Sequence, residues 1–208
     1  MSCRITIKGD EILEIEQPRG RIIIPECATR IDIGKLGGEL LPLAEGITEI
    51  DLADCRGITD IYLSSLGIKD IDLTKCCKLK TLSLNDMCIT DIDLSSCKEL
   101  VILELTSTRI ENIDLLCCKN LTRVCFRYSE YLTKVDLTAC KNLKIIQLGD
   151  FTGCKEASVK LPASITGIME GAFGENDDSY CKKVLVPNEE MKQLVIASGY
   201  PEDRIEMY

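Results

Sequence analysis

The sequence predicts a solenoid, a stack of coils with a parallel β-strand along one side of every coil. Three observations indicate this fold class: a fixed repeat length, a recurrent phrase, and apolar runs too short for helices. Five cysteines set the period, at spacings of 21, 21, 21 and 22 residues: Cys55, Cys76, Cys97, Cys118 and Cys140. The phrase around them reads ITEIDLADCRGI, IKDIDLTKCCKL, ITDIDLSSCKEL, IENIDLLCCKNL and LTKVDLTACKNL. Units of this length bury their apolar sides only by stacking on their neighbours.

Each repeat carries two apolar stretches, and the unit from Leu79 to Leu100 shows both. The alternation in Leu82-Ser83-Leu84 predicts a strand with both leucines inward and Ser83 outward. The second set lies on the returning side, at Ile89, Ile92 and Leu94. Each stretch has about four residues, fewer than a typical helix, so the return side should hold a short strand or a 3₁₀ turn. The same register centres strands on Tyr62, Ser83, Glu104, Cys125 and Gln147.

Degenerate copies flank the five regular repeats, which occupy residues 47–150. Upstream, residues 21–46 introduce RIIIPE (21–26) and LLPLAEGI (40–47). Downstream, residues 151–187 contain VKLP (159–162) and VLVP (184–187). Placing all of them on the strand side gives about nine rungs and, at a strand spacing of ~4.8 Å, a rod roughly 40 Å long.

A single solenoid domain over residues 1–208 needs a cap at each open end. Residues 1–20, which contain ITI, EILEIE and QPRG, are expected to form a strand or hairpin over the first coil. Residues 188–208 predict a C-terminal helical cap, because Asn188 is a good N-cap and Gly199 suits the helix end. The residues predicted to pack inward from this helix are Met191, Leu194 and Val195.

Composition argues against several classes of protein. A formal charge of −9 without a basic face is not typical of a nucleic-acid binder. No apolar run has the length of a signal-peptide core or a bilayer span. We therefore expect no membrane span and a cytoplasmic location for the chain as written, or a surface or secreted one if an export signal was removed. Histidine and CxxC pairs are absent, so we expect reduced core thiols and no metal or cofactor.

The phrase LxxLxLxxxxITDIDLSxC resembles bacterial leucine-rich repeats of the internalin-like class, with units of 21–22 residues. ITGIMEGAFG (165–174), DFTGC (150–154) and the ending CKKVLVPNEEMKQLVIASGYPEDRI resemble BspA-type repeats and their terminal cap. The resemblance covers about residues 20–205. It implies a right-handed curved coil with a parallel sheet on the concave face, and a role in protein binding, sometimes as a surface adhesin. The asparagine of the usual ladder is absent, since its positions hold Leu66, Met87 and Thr108.

The outward positions of the strands vary between repeats whereas the inward leucines do not, which indicates a face free for other uses. We predict a protein-binding face centred on Arg123 and Arg127, with Tyr131 nearby, because Arg and Tyr are enriched at interface centres. The alternative is an ordinary solvated face with a cross-strand Glu104–Arg123 pair. The predicted binding residues are Tyr62, Ser83, Asn85, Glu104, Arg123, Cys125, Arg127, Tyr128 and Gln147.

A column of aspartates repeats with the cysteines, at Asp51, Asp72, Asp93, Asp114 and Asp136. We expect each carboxylate to accept backbone N–H groups at the convex turn. A calcium ladder is the alternative, and it would need several oxygen ligands that converge on each ion.

Three functions remain open. A monomeric protein-binding module is the one we favour, and a bacterial cell-surface adhesin or host-interaction protein is the second. The third is a hydrolase or redox enzyme, with Cys125 between two arginines as a reactive thiol. The absence of histidine removes the commonest general base, and a solenoid presents an extended surface rather than a closed pocket.

Overall fold

The computed structural model describes residues 4–8, 11–16, 20–33, 35–36, 39–40, 46–148, 157–168, 171–174 and 181–208. Its strands are β1 (Arg4–Lys8), β2 (Glu11–Glu16), β3 (Gly20–Ile23), β4 (Arg30–Ile33), β5 (Lys35–Leu36), β6 (Glu39–Leu40), β7 (Ile47–Asp51), β8 (Asp60–Ser64), β9 (Thr81–Asn85), β10 (Ile102–Thr106), β11 (Arg123–Cys125), β12 (Lys134–Asp136), β13 (Ile145–Gln147), β14 (Ser158–Lys160), β15 (Lys183–Val186) and β16 (Ile205–Met207). A helix, α1 (Glu189–Ala197), and a 3₁₀ turn at Glu202–Arg204 lie near the end of the chain.

The main sheet forms the concave face and has eight strands in the order β1-β2-β4-β8-β9-β10-β11-β13. From β4 to β13 all neighbours are parallel, because each strand comes from the next coil of the solenoid. β1 and β2 form an antiparallel hairpin at the first edge, where Glu11 pairs with Arg30 of β4. The hairpin expected at the N terminus is therefore confirmed.

The sequence period is also the register of this sheet. Tyr62 pairs with Ser83, and Ser83 pairs in turn with Glu104. Glu104 pairs with Cys125, which pairs with Gln147. The predicted strand centres thus form one row across the sheet, as expected from residues that repeat at the same point of every coil.

The return side of the coils forms a second column with two short parallel sheets. One pairs β3 with β7, and the other has the order β12-β14-β15-β16. Between them, the coils at Asp72, Asp93 and Asp114 return through turns rather than strands. The prediction of short strands or turns on this side is confirmed, with strands at the two ends and turns in the middle.

The placement of the flanking copies on the strand side was wrong. RIIIPE contributes to β3, which pairs with β7, while VKLP and VLVP contribute to β14 and β15, which join β12 in the second column. The nine rungs expected on one face are therefore divided between two columns, and six parallel strands from successive coils lie on the concave face. Alternation shows which side chains point inward but not which column a strand joins. Most of LLPLAEGI and DFTGC lies outside the described residues.

A continuous apolar core fills the space between the two columns, from Ile22 to Tyr200. The five repeat cysteines are free thiols with no exposed surface, as predicted for reduced core residues. At each of these corners the chain makes two tight turns: Cys97 N donates to Leu94 O, and Leu100 N donates to Cys97 O, at 2.9 and 3.2 Å. A side chain this small fits a buried corner, and burial raises the pKa of Cys97 to about 12.

The corner after each concave strand explains how the coils turn without the usual asparagine. Ser65, Asp86, Ser107 and Tyr128 adopt left-handed backbone conformations with φ of 53–56°. The N–H groups of the first three extend the ladder between coils, as Asp86 N donates to Thr106 O at 2.9 Å. The next positions, Leu66, Met87 and Thr108, are therefore free to bury their side chains in the core.

The C-terminal cap matches its prediction. The side chain of Asn188 accepts a 2.8 Å hydrogen bond from Met191 N and so caps α1, and Gly199 ends the helix with φ of 89°. Met191 and Val195 are buried, and Leu194 is half-buried against the core. The helix thus covers the open end of the solenoid with its apolar side.

Candidate functional site

The concave sheet carries an open depression of about 560 Å³. All nine side chains predicted from the sequence line it, because the outward positions of parallel strands in register share one face. Asp32 and Asp86 also line the depression and were missed. Asp32 could have been found from the alternation in RIDI, which sets it beside Tyr62. Asp86 follows a strand, and only the left-handed corner brings it to the rim.

A polar network crosses three strands on the floor of the depression. The side-chain amide of Asn85 donates to Ser83 Oγ at 2.9 Å, and Ser83 Oγ donates to Glu104 Oε2 at 3.2 Å. Glu104 Oε1 lies 3.3 Å from Nε of Arg123 on the next strand. The Glu104–Arg123 pair, expected from the sequence under the alternative of an ordinary solvated face, is therefore present, and the Glu104 carboxylate lies beside Nε of the Arg123 guanidinium.

The ion pair of Arg123 leaves its hydrogen bonding incomplete. Nε is covered from solvent and has no acceptor in hydrogen-bond alignment among the described residues, although the carboxylate of Glu104 is close. The side chain as a whole is 42% exposed. Arg123 thus presents much of its guanidinium to the depression. Glu104 balances its charge but does not satisfy its hydrogen-bonding capacity.

Two predicted outward residues are more deeply buried than expected. Ser83 is 3% exposed and Cys125 is 7% exposed. Glu104 and Asn85 hydrogen-bond over Ser83, and the thiol of Cys125 contacts Gln147 Oε1 at 3.7 Å. Both residues form the floor of the depression rather than its accessible surface, because long neighbours on adjacent strands lie across short side chains. Cys125 therefore faces the depression, as its outward position predicted, but its neighbours leave it only 7% exposed.

The rim near the end of β11 is aromatic and basic. The Arg127 guanidinium lies 5.2 Å from the centre of the Tyr128 ring, and Nη2 of Arg127 is 3.4 Å from the Tyr128 hydroxyl. Tyr128 is 49% exposed although its φ is 55°, a left-handed conformation that costs a non-glycine residue about 1–2 kcal/mol. Tyr131, beside the extra residue of this 22-residue repeat, is also exposed. This corner therefore exposes two large rings where other corners carry Ser or Asp.

The opposite end of the depression has its own aromatic contact. The Arg30 guanidinium lies 4.6 Å from the centre of the Tyr62 ring and 3.6 Å from an Asp32 oxygen. The positive charge of Arg30 therefore already contacts both the Tyr62 ring and the Asp32 carboxylate. Exposed Asp86 adds a further negative charge to the rim. The depression is thus acidic toward its first coils and basic at β11.

The aspartate column has a structural role, as predicted. Each carboxylate accepts a hydrogen bond from the backbone N–H two residues on, with distances of 2.8 Å at Asp93 and 2.9 Å at Asp72. Hydrogen bonds from the Thr74 side chain and backbone lower the pKa of Asp72, and those from Ser95 lower the pKa of Asp93. Across the described ranges, no three His, Cys, Asp or Glu side chains converge to hold a metal ion. Each carboxylate therefore stabilises the turn that it begins.

Comparison with known proteins identifies the fold. No protein-family model matches the chain, and no curated protein matches it. Among solved structures, a functional domain of InlJ from Listeria monocytogenes, described as including a cysteine ladder, is similar with a TM-score of 0.54 and 18% identity. The match covers 78% of this chain and 40% of that chain, so this chain spans less than half of its neighbour's length.

Within the ranges that the structure describes, no helix combines the length and apolar character needed to cross a membrane. At 18% identity the likeness to InlJ concerns the fold alone. Together with the parallel concave sheet and the turns of the second column, it shows that the chain adopts the leucine-rich repeat solenoid fold.

Proposed function

We propose that this chain is a protein–protein interaction module that binds its partner on the concave sheet. The observation that supports this best is the convergence of all nine predicted binding side chains on one open depression. Their apolar neighbours in the same strands repeat from coil to coil because the core requires it. The outward residues have no such constraint, and they include the arginine and tyrosine side chains that dominate interface centres.

The strain at Tyr128 is a second, independent support. Ser65, Asp86 and Ser107 occupy the equivalent corners with short polar side chains, which suit a left-handed backbone better than a ring does. A half-exposed Tyr128 gains little from core packing at this corner. Unfavourable conformations of this kind are concentrated at binding and switch sites. We attribute the tyrosine to partner contact rather than to folding.

We infer a non-enzymatic role. The sequence contains no histidine, and the Cys125 thiol lies on the floor of the depression beside the amide of Gln147, which cannot act as a base. The carboxylates of the second column are engaged by their own turns. An open face of this shape suits an extended protein surface better than a small substrate that must be shielded from water.

The finer assignments of the sequence are kept as proposals. We propose that residues 47–150 are internalin-like repeats, that residues 151–187 are BspA-type units, and that the whole chain acts as one monomeric domain. A surface adhesin or host-interaction role is the second candidate function. It is favoured by the resemblance of the repeats to internalin-like proteins, and it differs from the first in where the partner is found.

Affinity capture from lysate and from extracellular extracts tests the proposal. The wild-type chain is compared with Arg123→Glu/Arg127→Glu and with a control, Lys98→Glu/Lys119→Glu, which makes the same charge change on exposed turns of the cysteine side. Each variant is first checked for a wild-type melting temperature. We expect a partner that is captured by wild type and by the control but lost by the arginine variant.

A partner retained by the arginine variant and lost by the lysine control would contradict the proposal and move the site to the other side of the coils. Retention by both variants would move it to the caps. Capture from the extracellular extract alone would support the surface role, whereas capture from lysate alone would support an intracellular module.

A further inference from the structure

We infer that the β11 end of the depression recognises a carboxylate of an acidic segment in the partner protein, with Arg123 as its anchor. This inference rests on the proposed function and adds the chemistry of the partner. It follows from the donors that converge at this point, from their support beneath, and from the distribution of charge along the face.

The charge of the Arg123 guanidinium is balanced by Glu104, but its Nε makes no hydrogen bond among the described residues. Glu104 approaches Nε at 3.3 Å, and Glu104 is itself positioned by Ser83 and Asn85. The two terminal nitrogens of Arg123 have no partner among the described residues. A planar guanidinium anchored through its base presents these nitrogens as a fork that matches the two oxygens of a carboxylate.

Further donors surround this fork. On the neighbouring strand, the Gln147 amide oxygen is directed at the Cys125 thiol, and its NH₂ group has no partner among the described residues. Arg127 lies two residues along the chain from Cys125, with Tyr128 beneath its guanidinium. The three side chains Arg123, Arg127 and Gln147 line the same part of the depression. Arg123 and Gln147 offer N–H donors to one bound anion, and Arg127 adds a positive charge beside them.

The charge along the face favours a carboxylate over a phosphate polymer. The chain carries a formal charge of −9, and Glu104 lies directly beneath the fork. A densely charged polyanion would therefore be repelled by most of the surface, whereas a single carboxylate interacts with the two arginines at short range. Asp32 and Asp86 at the other end disfavour a second acidic group there, so the partner's acidic residue should face β11.

Titration with a defined acidic peptide tests the inference. The probe is N-acetyl-Gly-Gly-Glu-Gly-Gly amide, which carries a single carboxylate, added to the ¹⁵N-labelled full chain at low ionic strength and followed by amide chemical shifts. We expect shifts concentrated in β11, β13 and the Arg127–Tyr128 corner, even though the protein as a whole repels the peptide. Binding should weaken as salt is added.

Four variants separate the effect of charge from that of guanidinium geometry. Arg123→Gln should weaken binding roughly tenfold or more, since it removes the charged donor. Arg123→Lys keeps the charge but loses the fork, and should weaken binding several-fold. Lys98→Gln on the opposite side should leave it unchanged. Because Arg123 variants also disturb Glu104, Arg127→Gln provides a second variant at the same subsite, with an expected loss of several-fold.

Other outcomes would overturn the inference. These are the absence of shifts, shifts that map to the lysine-bearing turns, equal binding by Arg123→Lys and wild type, and equal shifts with inorganic phosphate at matched ionic strength. Loss of the partner in Arg123→Glu/Arg127→Glu without any binding of the peptide would retain the proposed function and reject only the carboxylate subsite. Binding of the peptide at β11, together with a partner that is still captured by Arg123→Glu/Arg127→Glu, would support the subsite and reject the proposed function.

Discussion

The two columns of the solenoid share one period but keep their shape by different means. On the concave side, backbone hydrogen bonds between coils hold six parallel strands in register. On the return side of the middle coils, the bonds lie largely within each coil, where an aspartate accepts the N–H two residues on and a buried cysteine forms the corner. On the concave side, where backbone hydrogen bonds define the structure, the outward side chains vary between coils. On the return side, where side chains define the turns, the same residue types recur in successive coils.

The largest expected effect lies in the cysteine column and appears at alkaline pH. Burial raises the pKa of Cys76, Cys97 and Cys118 to about 12, and that of Cys55 and Cys140 to about 11. An unfolded thiol ionises near pH 8.5, so the stabilisation is complete below that pH and is lost as the pH rises toward the folded values. In this pH range each thiol should lower the free energy of unfolding by up to about 1.4 kcal/mol per pH unit.

Summed over five thiols and about two pH units, this loss exceeds the free energy of unfolding of a typical domain. We therefore expect cooperative unfolding near pH 10. Chemical denaturation at pH 7, 9 and 10 measures the effect. Cys97→Ala should make the dependence of unfolding free energy on pH less steep by about one proton. A slope unaffected by Cys97→Ala would mean that this thiol ionises freely in the folded protein.

Truncation of the core tests whether the two columns share one interior. Leu82→Ala and Leu103→Ala on the concave side, and Ile92→Ala on the return side, should each lower the free energy of unfolding by about 2–5 kcal/mol. All three side chains are buried. Ile102→Ala, at an outward position of β10, is the matched control with an expected loss below about 1 kcal/mol. Wild-type denaturation curves for the three inward variants would contradict the register.

Removal of one turn carboxylate should have a smaller effect. Asp93→Ala leaves the N–H of Ser95 without its acceptor, and we expect the melting temperature to fall by a few degrees. Asp93→Asn keeps an oxygen acceptor and should lose less. Because the pKa of Asp93 is lowered in the folded state, its contribution is present at neutral pH and is lost as the pH falls through the acid range. An unchanged melting temperature for Asp93→Ala would argue against a structural role.

The smallest expected change in stability is at Tyr128. Asn tolerates the left-handed conformation better than Tyr, and the exposed contact with Arg127 that is lost contributes little. Tyr128→Asn should therefore leave the free energy of unfolding unchanged or raise it by up to about 1 kcal/mol. Partner capture should nevertheless weaken. A loss of stability beyond 1 kcal/mol would show that the ring serves folding.

Much of the fold and of the candidate site could be predicted from local pattern. Strand centres such as Ser83 and Glu104, the buried cysteines, the turn at Asp93 and the cap at Asn188 each depend on neighbours within one coil or on the same position of the next coil. The convergence of the outward residues on one face followed from parallel strands in register. Most of these features recur in each repeat, so the sequence pattern was sufficient to predict them.

The parts that could not be predicted depend on contacts between unlike segments. The sequence by itself determined the period, the inward positions, the cysteines at the buried corners and the polar character of the concave face, because alternation and turn chemistry are local. Only the tertiary structure decided that β14 and β15 continue the second column, that neighbours cover Cys125, and that Tyr128 occupies a strained corner. The reason is physical: strand partnership and side-chain cover depend on what lies alongside in space, and the residues that meet there are 21 or more positions apart in the chain.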